Sequence, residues 1–226
     1  MRFSPRCIDQ TLLRPEAAQA EVEKFCREAV QAKFAAVCVL PCWVSLADRL
    51  CVASATVVCT VVGFPLGGNS LLSKLTETAE SLSRGAREID LVINLGWLKS
   101  GAELQVAQEI AAVAELVHQT GSSRLLKVII ETCWLTEREK QTAALLAEQA
   151  GADMIKTSTG FGSGGATVED VRLLRRVLAA KTGIKAAGGV RTLTQALSLL
   201  EAGADRIGTS AGLTLLREWR MADGPA

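Results

Sequence analysis

Histidine occurs once in the 226 residues, at His118, in a segment that reads as the exposed side of a helix. That scarcity sets aside Ser-His-Asp and Cys-His triads as the default chemistry, and a histidine-based metal site with them. Disulfide and zinc patterns are missing too: seven cysteines, an odd number, are scattered with no Cys-x-x-Cys pair. They read as buried apolar side chains in a reducing cytoplasm. With 25 Lys and Arg against 24 Asp and Glu, the chain has no basic surplus for nucleic acid or a membrane surface. No apolar run approaches the ~18 residues of a membrane-crossing helix. Met1-Arg2-Phe3-Ser4-Pro5 does not open as a signal peptide. Linkers and low-complexity tracts are also lacking, so residues 1–226 read as a single domain.

What the chain does have is alternation. Strands are predicted at 8–11, 35–40, 57–63, 88–94, 125–131, 153–157, 184–187 and 206–208. Apolar runs such as Val57-Val58-Cys59-Thr60-Val61-Val62 mark parallel strands covered on both faces. Between them, Ser100 with Glu103, Thr136 with Glu139, Thr167 with Asp170 and Thr192 with Gln195 have capping-box spacing. Val106, Ile110, Val113 and Val117 make a helical-period stripe, and Gly121, Gly151, Gly183 and Gly203 stand where helices end. Eight strands, each followed by a helix, specify an α/β fold, the (β/α)8 TIM barrel. A doubly wound sheet would need a glycine-rich dinucleotide turn after its first strand, which this chain lacks.

An internal repeat organises the second half. Gly151-Ala152-Asp153-Met154-Ile155-Lys156-Thr157-Ser158-Thr159-Gly160 aligns without gaps to Gly203-Ala204-Asp205-Arg206-Ile207-Gly208-Thr209-Ser210-Ala211-Gly212. A weaker copy is Gly85-Ala86-Arg87-Glu88-Ile89-Asp90, so Asp90, Lys156 and Gly208 share one column. Read as helix-ending glycine, turn and strand, the repeat places those three at the ends of strands four, six and eight. Alternate strands fill one interior layer of such a barrel. Lys185, at the end of strand seven, faces the same mouth. Gly188-Gly189 after strand seven and Gly208-Thr209-Ser210 before the last helix are placed as this fold's phosphate cradle.

A lysine attacks a carbonyl only as the neutral amine, which at an ordinary pKa of ~10.4 is roughly one molecule in 2,500 at pH 7. A second cationic lysine and desolvation favour that form. The expected nucleophile is therefore Lys156, with Lys185 as its perturber and Asp90 as acid and base.

These residues carry a resemblance. The segments Ile8-Asp9-Gln10-Thr11-Leu12-Leu13, Val37-Cys38-Val39, Gly63-Phe64-Pro65, Glu88-Ile89-Asp90-Leu91-Val92-Ile93-Asn94 and Leu126-Lys127-Val128-Ile129-Ile130-Glu131-Thr132 are one part of it. Ile155 to Phe161, Lys185-Ala186-Ala187-Gly188-Gly189-Val190-Arg191-Thr192 and Arg206 to Gly212 complete it. In this order the chain resembles the deoxyribose-phosphate aldolases, class I Schiff-base enzymes, over nearly its full length. The resemblance implies reversible cleavage of 2-deoxy-D-ribose 5-phosphate to acetaldehyde and D-glyceraldehyde 3-phosphate. It implies a Schiff base on Lys156, with Asp90 and Lys185 moving protons. Gly160, Gly188, Gly189, Gly208, Thr209 and Ser210 would hold the phosphate. Asp9 and Thr11 would approach the substrate hydroxyls, with Thr159 also in contact, and Cys38 would line the pocket. The iminium is the electron sink, so no metal or organic cofactor is implied. Partners are small phosphorylated sugars and aldehydes, and a homodimer or homotetramer is compatible with so small a barrel.

Some positions depart from the family pattern. Gln10 stands where a histidine is common, removing a proton carrier beside Asp9. Phe161 replaces a phosphate-reaching lysine of some members, shifting that work to backbone N–H groups. Leu40, Trp43 and Trp97 make the rim apolar, and the tail has no terminal tyrosine; the chain has no tyrosine at all. Two rivals remain: a Schiff-base aldolase for another phosphorylated sugar, and a sugar-phosphate binding barrel without catalysis. The second would keep the glycine loops but need not keep Asp90, Lys156 and Lys185 together.

Overall fold

A computed structural model describes residues 3–119 and 123–222. Eight parallel strands close into a barrel in chain order: β1 (Ile8–Leu12), β2 (Ala36–Val39), β3 (Val57–Val62), β4 (Glu88–Val92), β5 (Leu125–Ile129), β6 (Met154–Lys156), β7 (Gly183–Ala187) and β8 (Arg206–Thr209). Closure runs through Ile8 paired with Ile207 and Asp9 with Gly208. Outside lie α1 (Gln19–Gln31), α2 (Val44–Cys51), α3 (Leu71–Ser83), the short α4 (Leu95–Lys99), α5 (Glu103–Gln119), α6 (Glu137–Gln149), α7 (Val168–Val177), α8 (Leu193–Glu201) and α9 (Gly212–Ala222). The expected (β/α)8 barrel is the one observed. β4 and β5 each stop two residues before their predicted ends, for local reasons. Asn94 turns to cap α4, its side chain accepting from Trp97 N at 3.1 Å, and Glu131 leaves extended backbone with φ 52°.

Alternation along each strand divides the apolar residues from the charged ones. Val37, Ile89, Leu91, Leu126, Val128, Ile155 and Ile184 point outward and are fully buried beneath the helices. Inside, Ala36, Cys38, Cys59 and Val61 form a small apolar wall on the β2–β3 side. The opposite side of the interior is charged.

The repeat has one structural cause. Gly85, Gly151 and Gly203 take φ of 109°, 97° and 112°, the left-handed region a Cβ disfavours. Each ends a helix in a Schellman motif, in which the next residue's N–H reaches back to the last turn: Ala86 to Ser81 O, Ala152 to Ala147 O, Ala204 to Leu199 O. Asp153 and Asp205 then accept the amides of Leu126 and Ile184, at 2.7 and 2.8 Å, pinning one strand to its neighbour.

The helix signals fare unequally. Thr136 and Thr192 form complete capping boxes. Thr167 accepts from Asp170 N, but the Asp170 carboxylate goes to Lys140 instead. Ser100 does not start α5; it ends α4, its hydroxyl donating to Gly96 O at 2.8 Å. Gly183 is the first residue of β7 rather than a helix end, and Gly121 lies outside the described residues. His118 sits on α5 and bonds Asp153 at 2.9 Å, away from the barrel interior. Among the described residues no helix is long and apolar enough to cross a membrane.

This difference in capping is measurable by urea unfolding. Thr136→Ala should lower stability by about 1 kcal/mol, whereas Ser100→Ala should change it by less than about 0.5 kcal/mol. Equal losses would contradict the assignment of Ser100 to the end of α4.

Candidate active site

Strand register gathers the charges. Asp90 is paired with Lys127, Lys156 with Lys185, and Lys185 with Arg206. Register partners on parallel strands face the same side of the sheet, here the interior. Asp90 is the hub. Its Oδ2 accepts from Lys156 Nζ at 2.8 Å and from Lys185 Nζ at 2.7 Å, and its Oδ1 from Lys127 Nζ at 2.9 Å. Lys185 also pairs with Asp9 at 2.7 Å, and Lys127 with Glu88 at 2.6 Å. Arg206 closes the far end, with Nε on Asp9 at 2.7 Å and Nη2 on Glu88 at 3.3 Å.

Burial and charge pull these groups in opposite directions, and charge prevails. Burial alone would raise Asp90, but Lys127, Lys156 and Lys185 hold its carboxyl well below the ordinary range. Asp9 is likewise raised by burial and lowered further by Lys185, Arg206 and Lys127. Burial would lower both Lys185 and Lys127, yet Asp9 and Asp90 keep Lys185 above the ordinary lysine range, and Asp90 with Glu88 and Asp9 does the same for Lys127. Asp90 and Asp9 are therefore ionised at neutral pH, and Lys127 and Lys185 are charged.

Above the cluster opens a cavity of about 330 Å³, walled by Thr11, Leu13, Thr159, Gly160, Phe161, residues 187–191 and residues 208–210. Lys156, 2% exposed, is the cluster's lysine that reaches this wall. Phe161 meets Phe64 edge to face across the rim, with ring centroids 5.2 Å apart.

The family model described as DeoC/LacD family aldolase matches residues 5–219. The chain belongs to that family. It is 49% identical over 214 residues to the deoxyribose-phosphate aldolase of Thermoanaerobacter sp. strain X514, covering 95% of this chain and 96% of that one. It is 52% identical over 213 residues to that of Thermococcus kodakarensis, covering 93% and 94%. The tetrameric deoxyribose phosphate aldolase of Aeropyrum pernix superposes with a TM-score of 0.86 at 32% identity, covering 96% of this chain and 92% of that one.

In this aldolase Lys156, Asp90 and Lys185 meet at one carboxylate oxygen. Asp90 and Lys185 are mid-strand, each third of five residues, and not at the expected strand ends. The lysine chain passes because Gly208 has no side chain; a Cβ there would lie 3.0 Å from Lys185 Cε and 2.8 Å from Ala187 Cβ. Gly160, Gly188, Gly189, Gly208, Thr209 and Ser210 all line the cavity, with Thr11 and Thr159. Asp9 and Cys38 do not; both are fully buried beneath it. The Thr209 hydroxyl is already engaged, donating to Val190 O at 2.6 Å and accepting from Ala211 N at 2.9 Å. Gln10 corrects an expectation: it points away from Asp9, and its Oε1 accepts from Gly212 N at 3.0 Å, anchoring α9. A histidine there would not carry protons for Asp9 in this geometry.

Lys127, Glu88 and Arg206 were not anticipated, nor was Arg191 in the cavity wall. Lys127 bears the same signal that singled out Lys156, a lysine inside an apolar strand. Arg206 and Glu88 share a column of the repeat, two places before Gly208 and Asp90. Cys38, Cys59 and Asp90 bring ligand-type atoms within 4.8 Å of one another, but both Asp90 oxygens already face ammonium groups, which repel a further cation.

The depressed Asp90 and Asp9 fix a pH dependence. Their stabilisation is present above the unfolded carboxyl pKa of about 3.9 and is lost as pH falls through their lower folded values. Stability should be flat from about pH 5 to 8 and decline below about pH 4. Lys127→Met leaves Glu88 and Asp90 short of a partner. It should cost about 3 kcal/mol at pH 7 in urea unfolding and move acid unfolding to higher pH. An unchanged acid midpoint would contradict the assigned role of Lys127.

Proposed function

We propose that this aldolase reversibly cleaves 2-deoxy-D-ribose 5-phosphate to acetaldehyde and D-glyceraldehyde 3-phosphate through an imine on Lys156. The observation carrying this reading is that Lys156 shares one Asp90 oxygen with Lys185 and alone among the cluster's lysines lines the cavity. Among the described residues the cluster holds four cations and three carboxylates. Lys127 and Lys185 are each held by two or more carboxylates, whereas Lys156 touches Asp90 alone.

The steps follow from that arrangement. The Lys156 amine adds to the C1 aldehyde, and loss of water leaves an iminium. A base takes the proton of the C3 hydroxyl, the C2–C3 bond breaks, and its electron pair moves toward the iminium nitrogen, giving an enamine and releasing the aldehyde phosphate. Protonation of the enamine at C2 and addition of water free acetaldehyde and restore the amine. Asp90 as acceptor and Lys185 as donor are placed for these transfers, directly or through one water. The phosphate end lies against the backbone of Gly160, Gly188, Gly189, Gly208 and Thr209, the Ser210 hydroxyl and Arg191. Thr11 and Thr159 face the sugar portion, while Asp9 and Cys38 support the floor from below.

The same proposal places the protein in a reducing cytoplasm, which suits its seven free thiols, as a homodimer or homotetramer. Borohydride trapping with acetaldehyde, followed by peptide mapping, should give a single ethyl adduct on Lys156. Deoxyribose 5-phosphate should compete with it. Lys156→Ala should abolish the adduct and lower kcat/KM by about four orders of magnitude. An adduct on Lys185 would reverse the lysine roles, and no adduct with sugar phosphate still bound would favour a binding protein.

A further inference from the structure

Two non-glycine residues take positive φ among those described, Lys33 and Glu131. Lys33 is an exposed helix end, an ordinary place for that conformation. Glu131 is different. It follows β5 with no helix before it, at φ 52° and ψ 68°, and its side chain is 3% exposed. A left-handed backbone is disfavoured for any residue with a Cβ, and it persists only where the surroundings over-determine it.

The surroundings here are the loop that leaves Lys156. The β5–β6 ladder continues past both strands, with Ile130 N donating to Lys156 O at 3.1 Å and Thr132 N to Thr157 O at 2.9 Å. Between those bonds Glu131 turns its carboxylate toward the loop. Thr159 N donates to its two oxygens at 3.3 and 3.2 Å, and the Thr159 hydroxyl donates to Oε2 in a short bond. That hydroxyl in turn accepts from Phe161 N at 3.0 Å. No cation is paired with Glu131 among the described ion pairs, so the Thr159 amide and hydroxyl, with the Cys133 thiol at 3.7 Å, do the work that a counter-ion would do elsewhere. The loop also passes close: a Cβ on Gly162 would lie 3.3 Å from Glu131 Cδ.

We propose that Glu131 is a positioning residue for the phosphate end of the cavity. Its carboxylate fixes Thr159, Gly160 and Phe161, so that the wall they form meets the substrate in one arrangement. It touches neither substrate nor Lys156. This inference rests on the aldolase reading above and assigns Glu131 to affinity for the phosphorylated substrate rather than to imine formation.

The test compares Glu131→Gly, Glu131→Gln and Thr159→Val with wild type, using deoxyribose 5-phosphate cleavage and acetaldehyde trapping on Lys156. Glycine accepts the backbone conformation while removing the carboxylate, and Thr159→Val removes one partner without changing residue 131. KM should rise about tenfold or more in Glu131→Gly. The rise should be smaller in Glu131→Gln, which keeps one acceptor oxygen, and the trapping rate should stay within about threefold of wild type in both. Glu131→Gln carries the test if Glu131→Gly does not fold, and the KM rise of Thr159→Val should shrink in the Glu131→Gln background, where the contact between the two is already weakened. Unchanged KM in the folded variants, or a fall in kcat and trapping at constant KM, overturns the proposal. Failure of the wild type to trap acetaldehyde sinks the aldolase reading and this inference with it, an outcome distinct from a null effect in the variants alone.

Discussion

One carboxylate shared by three ammonium groups is the contact on which the molecule is arranged. Neither Asp90 nor its lysines could be buried alone: an uncompensated ion in a protein interior costs several kcal/mol, and together they are held by mutual attraction. Packing around them is shaped accordingly. The β2–β3 wall is small, built from Ala36, Cys38, Cys59 and Val61, and Gly208 clears a path for Lys185. Such an interior is a poor source of stability compared with the layers of Val, Ile and Leu that usually fill this fold. The outward faces of the strands supply it instead, where Ile89, Leu91, Val128 and Ile155 are sealed beneath the helices.

The repeat made much of this visible in the sequence. Gly-Ala ends a helix and buries a methyl group in all three copies, and in two of them the following aspartate pins a neighbouring amide, so the strand that follows has a fixed depth. This is why aligning residues 85, 151 and 203 brought Asp90, Lys156 and Gly208 to one level. The same alignment held Glu88 and Arg206 in a second column, but a pairing between strands four and eight depends on barrel closure, which no local pattern encodes. Lys127 belongs to a strand outside the repeat. Its partner is set by the β4–β5 register, which no local pattern in either strand carries. Gln10 misled because its resemblance was read by chain neighbourhood, whereas alternation along β1 sends adjacent residues to opposite faces. Ser100 had capping-box spacing, and the sequence did not separate α4 from α5. The turn at Glu131 has no sequence signature: glutamate is an ordinary residue, and only its surroundings hold it in the left-handed region.

The two ends of the barrel divide the labour. Helix-ending glycines and strand-pinning aspartates occupy the end where strands begin, and they set geometry. Loops at the other end, around Gly160, Gly188 and Ser210, form the cavity. The separation is usual for this fold and lets the loops vary without unsettling the frame.

Arg206 gives the cluster a stopper. Its guanidinium closes the end remote from the cavity, and a guanidinium does not give up its proton in a protein. Asp90, Lys127 and Lys185 are fully buried, so the path from their protons to bulk water runs past Lys156. Solvent thus has one door to these charges, and whatever fills the cavity cuts them off from bulk water.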